Sequence, residues 1–190
     1  MPIPLGVLAV AGAGGAAGGG NSFDLLETQI LTTNSSSITF SSLGTFSDYR
    51  HLQIRAVAKS SSVNDSNNTF SLRFNGDSGN NYWRHQLNGN GSSVLSGSSA
   101  SAANNMEFLD AIVGNNVANK FSPIILDILD FNSSVKNKTV RAFSGHDGGE
   151  NDVSLHSGLW SSTNSITSIE LYCPGQTLQT GSRYSLYGIK

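Results

Sequence analysis

Apolar side chains recur in this chain at every second residue, in short runs, and none of the runs keeps a helical period. In YRHLQIRAVAK, Leu52, Ile54, Ala56 and Ala58 fall on one face and His51, Gln53, Arg55 and Lys59 on the other. That spacing belongs to a strand with one face buried. TFSLRFNG repeats it, with Phe70, Leu72 and Phe74 inward and Arg73 outward, and ends in Asn75-Gly76, a strong turn signal. In FSPIILDILDF, Ile124, Leu126 and Ile128 are expected to face the core, and the run is too short to span a membrane. FDLLETQIL, SITF, NYWRHQLNGNGS, MEFLDAIVG, KTVRAFSG, DVSLHSGLW, SITSIELYC and SRYSLYGIK bring the set to about ten strands with no helix. Ser92 to Asn105 is low in complexity and is expected to be a long loop. The pattern predicts an all-β fold, an antiparallel sandwich or jelly-roll-like body.

The polar residues are mostly uncharged. Ser, Asn, Thr and Gly make up 82 of 190 residues, against 13% charged. Such a composition disorders a chain only when apolar residues are scarce. Here nine Phe, five Tyr and two Trp supply a core, and the polar residues supply turns. A net charge of −2 with scattered basic residues gives no footprint for nucleic acid. The single Cys173 excludes an internal disulfide framework and is expected to be a buried spectator.

The first twenty residues, MPIPLGVLAVAGAGGAAGGG, carry no charge. A secretory signal needs a basic start, and the first basic residue is Arg50. A spanning helix needs about 20 residues of helical character, which the glycines from Gly12 onward deny. Residues 1–21 are therefore expected to be an anchor peptide that docks on another protein through Leu5, Val7, Leu8 and Val10, with no membrane insertion. Residues 22–190 form the sandwich body.

No catalytic pattern emerges. HExxH and GxSxG are absent, and His51, His85, His146 and His156 are expected at the surface. The loops around Asp77 and HDGGEND offer oxygen ligands, but both read as turns, so no metal and no cofactor is expected. Sequons, among them Asn34 and Asn90, follow from the richness in Asn, Ser and Thr. Aromatics beside amides can stack on sugar rings or fill a core. The candidate ligand contacts are Asn81, Tyr82 and Trp83 beside the Asn75-Gly76 turn, with His146 and Asp147 in the second glycine-rich loop. Trp160 is an aromatic of the same kind, open to either role.

FDLLETQILTTNSSSITFSSL, LRFNGDSGNNYWRHQLNGNGSS, HSGLWSSTNSITSIELY and GSRYSLYGIK resemble small virion structural proteins of tailed bacteriophages, common in phages of cyanobacteria and aquatic bacteria. The likeness spans residues 22–190 and lies in turns and strands. It implies a β-sandwich module of a fibre, appendage or baseplate, without enzymatic activity and located in the virion. It further implies an N-terminal segment docked on tail or baseplate proteins, three copies of the chain, and contact with host glycans. A capsid decoration protein and a carbohydrate-binding module are the alternatives.

Overall fold

The computed structural model describes residues 7–11, for the backbone only, and residues 22–63, 68–115, 118–146 and 152–190. Among these residues thirteen strands form two antiparallel sheets, as the alternation predicts. They are β1 (Val7–Ala11), β2 (Asp24–Leu31), β3 (Ser37–Phe40), β4 (His51–Ala58), β5 (Phe70–Phe74), β6 (Tyr82–Gly89) and β7 (Val94–Ser98). The others are β8 (Met106–Phe108), β9 (Ser122–Leu129), β10 (Lys138–Gly145), β11 (Val153–Trp160), β12 (Ile169–Tyr172) and β13 (Arg183–Ile189). A single 3-10 turn, Leu43–Phe46, interrupts them.

The larger sheet runs β1-β2-β13-β4-β9-β10-β11-β6-β7 and the smaller β3-β12-β5-β8. Taken without β1 and two hairpin-like insertions, the order becomes β2-β13-β4-β9 over β3-β12-β5-β8. That is a jelly roll of eight strands, whose chain crosses between sheets at almost every connection. The insertions are β6–β7, between β5 and β8, and β10–β11, between β9 and β12. Both join the same edge of the larger sheet, where β11 pairs with β6 from Val153↔Gly89 to Trp160↔Tyr82. Four extra strands thus widen one sheet beyond the jelly roll.

The two sheets share one core. Leu52, Ile54, Ala56 and Ala58 of β4 and Ile124, Leu126 and Ile128 of β9 lie on the inner face, as their spacing predicts. Phe70, Leu72 and Phe74 of β5 meet them from the smaller sheet. Phe74 sits 5.4 Å from Trp160 and 6.5 Å from Tyr82, so aromatic contact ties the inserted strands to the small sheet. Gly158 lets β11 pack against the Met106 side chain of β8, because an added Cβ would displace the Met106 sulfur. Cys173 is buried, and burial pushes its thiol up to about 12.

Three local expectations fail. The Ser92–Asn105 loop contains β7, which pairs with β6 from His85↔Ser98 to Gly89↔Val94. A serine-rich segment makes a strand when a neighbour offers a free edge, a fact outside its own composition. Lys59, expected outward, is buried where the chain leaves β4. Its carbonyl accepts from Gln179 and its amide donates to the Ser182 hydroxyl. His156 and His146 are buried, not at the surface.

Candidate interaction surface

The outer face of the larger sheet is where side chains are left without a covering layer. Cross-strand register fixes which residues stand together. Leu87 of β6 pairs with Leu155 of β11, Leu155 with Phe143 of β10, and Phe143 with Ile125 of β9. One row along, Val94 of β7 pairs with Gly89, and Gly89 with Val153. These six large side chains are exposed, from 38% at Ile125 to 72% at Val94. The stripe lies on the inserted strands and on β9, the last strand of the jelly-roll half.

A polar row borders the stripe. His85, Ser157, Arg141, Asp127 and Gln53 follow one another across β6, β11, β10, β9 and β4. The Arg141 guanidinium donates to Asp127 Oδ2 at 2.8 and 3.0 Å, and Gln53 Nε2 donates to Asp127 Oδ1 at 2.6 Å. Sharing His85 and Ser157 with that row, Trp83, Thr139 and Leu159 line a shallow recess of about 410 Å³. An indole face with imidazole and hydroxyl groups beside it can stack on a ring and bond its substituents.

The expected ligand residues do not converge. Tyr82 is fully buried and is corrected to a core residue: strand alternation turns it inward while Trp83, 39% exposed, turns out. The Tyr82 hydroxyl accepts from the Phe74 amide at 3.0 Å and donates to the Asp77 carbonyl at 3.1 Å, and burial pushes its pKa up to about 12. Asn81 is bound within the turn, its Nδ2 donating to Asp77 Oδ2 at 2.9 Å. Asp77 also accepts from Gly79 N at 2.8 Å and from Trp160 Nε1 at 2.7 Å. Burial alone would raise the Asp77 pKa, but these three hydrogen bonds hold it below the usual value. The loop is a turn clamped by its aspartate, with Asn75 and Gly76 at φ 54° and 66°.

His146 lies at the opposite end of β6 and β11, about 24 Å along an eight-residue strand from Tyr82. It is buried, with Nε2 3.6 Å from Asp152 Oδ2, and neither ring nitrogen has a hydrogen-bond partner among the described residues. Asp147 lies outside the described residues, as does Leu5 of the anchor set. The backbone of Val7, Leu8 and Val10 pairs with Leu31, Ile30 and Thr28 of β2 in the same chain. Among the described residues no three His, Cys, Asp or Glu side chains come together to hold a metal ion.

Sequence reasoning missed the stripe. Its signal was present as outward apolar residues in β9, β10 and β11, such as Ile125, Phe143 and Leu155, but their adjacency depends on strand order. Searches against protein families, curated proteins and solved structures give no match to this chain.

Proposed function

We propose that the chain is a non-enzymatic structural protein of a tailed-phage virion, a short tail fibre or baseplate appendage. Residues 1–20 hold it to tail or baseplate proteins, and the sandwich body, assembled with further copies of itself, contacts the host surface. The observation that carries this reading is the widened sheet. Two insertions widen the jelly roll into a broad outer face, and that face bears exposed apolar side chains and a Trp-lined recess. A monomer rarely leaves such a patch bare. Jelly rolls also occur in capsid and lectin domains, an analogy at the level of fold. The virion location rests on the resemblance of residues 22–190.

Host contact would use the recess at Trp83, with weak sites made useful by several copies on one particle. A capsid decoration protein is the second reading, favoured by the exposed apolar stripe, which suits seating on a neighbouring subunit.

Deleting residues 1–21 tests the anchor. The core cluster of the described residues is built from side chains between Leu31 and Leu186, so the remaining body should fold and stay soluble. Particles assembled with it should lack the protein. Normal incorporation of the truncated chain would end the reading.

A further inference from the structure

We infer that the apolar stripe of the larger sheet is the seat of a second copy of this chain, packed face to face on the same stripe about a two-fold axis. The inference rests on the self-association in the reading above and not on the virion location.

Four observations select that occupant. First, there is the area: Leu87, Val94, Ile125, Phe143, Val153 and Leu155, 38% to 72% exposed, with Val57 and Pro123 beside them, present on the order of 600 Å² of apolar surface. A stable interface needs about 800 Å² per partner, and the bordering row supplies the remainder. Second, that row asks for no charged partner, since Arg141 and Asp127 neutralise each other. A rim neutralised within each copy can meet the same rim of a second copy without leaving a charge unpaired. A membrane surface or nucleic acid would call for a cluster of free basic groups, whereas Arg55, next to Ile125 in the central row, lies over the Phe23 and Tyr187 rings. Third, the stripe contains no hydrogen-bonding side chain to hold a sugar, so glycans are confined to the recess at Trp83. Fourth, the side chains project from a regular antiparallel sheet in a period that a second sheet of the same spacing meshes with, at about 10 Å separation and an angle near −30°.

The arrangement is isologous and closes at two chains, whereas the resemblance implies three. It also explains the insertions. Without β10, β11, β6 and β7 the outer face would keep only Ile125 of the central row.

Sedimentation of the purified full chain at about 50 µM, where an interface of this size associates, reads the answer. The expected mass is two chains. Phe143→Glu and Leu155→Lys should each weaken the pair at least tenfold, with unchanged circular dichroism and melting temperature. Val94→Lys, on the exposed edge strand, serves as a third variant should either of these misfold. A mass of one chain, a mass of three chains, or a pair that survives the folded variants would overturn the inference. Because no particle or host enters the experiment, its failure leaves the anchor test standing.

Discussion

Tyr82 and Trp83 are neighbours in the chain and occupy opposite faces of β6. Tyr82 stacks on Trp160 at 6.3 Å and touches Phe74, whereas Trp83 stands at the mouth of a recess. Tyr82→Ala should therefore lower stability by about 3 to 5 kcal/mol, the range for a large buried aromatic. Trp83→Ala should lower it by about 1 kcal/mol, near the ordinary surface value, and should reduce particle adsorption. Urea unfolding of the two variants checks the difference. His156 gives a second handle. Its ring meets the edge of Phe108 at 5.6 Å, and neither nitrogen makes a hydrogen bond of ordinary geometry. Burial, aided by the nearby Arg84 charge, pushes its pKa down to about 4. Between pH 6.5 and 4 the unfolded chain therefore takes up a proton that the folded chain refuses. Stability is full above pH 6.5 and falls as the pH drops towards 4, by about 3 kcal/mol for a shift of this size. His156→Leu should flatten that acid limb in unfolding curves measured at pH 7 and pH 4.5.

At the scale of elements, the strand that closes the jelly roll is the last one. β13 lies between β2 and β4, pairing Arg183↔Ile30 on one side and Arg183↔Val57 on the other. Tyr184 and Leu186 are fully buried, and Tyr184 stacks on Phe70 of the smaller sheet at 6.5 Å. Removing residues 182–190 leaves two central edges unpaired and exposes the core between them. The truncated chain should be unfolded or aggregated, with no cooperative thermal transition, while removal of residues 1–21 leaves the transition in place. A truncated chain that still melts cooperatively would contradict the central place of β13. The inserted strands behave differently. They attach to β9 at one side, and their hold on the small sheet is the cluster of Trp160, Tyr82, Phe74 and Met106. That cluster positions the stripe and the recess on one rigid face.

At the scale of the molecule, period-two alternation determined the fold class and most strands, because inward and outward residues follow from the pleat alone. It placed the inner faces of β4, β5 and β9 correctly, and it placed Cys173 in the core. It did not reveal β7, whose composition is that of a loop and whose pairing is provided by β6. Nor could it orient Tyr82, since alternation through NYWRHQL is equally consistent with either face until Trp160 and Phe74 are known to lie across from it. The buried histidines escaped for the same reason: His156 occupies a polar position in a strand whose inner face the smaller sheet covers at Phe108. Strand order and sheet stacking are set by pairings between residues far apart in sequence, such as β2 with β13. Local pattern therefore determined that this chain makes a sandwich with a core of aromatics. Only the tertiary structure decided that Leu87, Leu155, Phe143 and Ile125, drawn from four separate strands, form one continuous exposed surface.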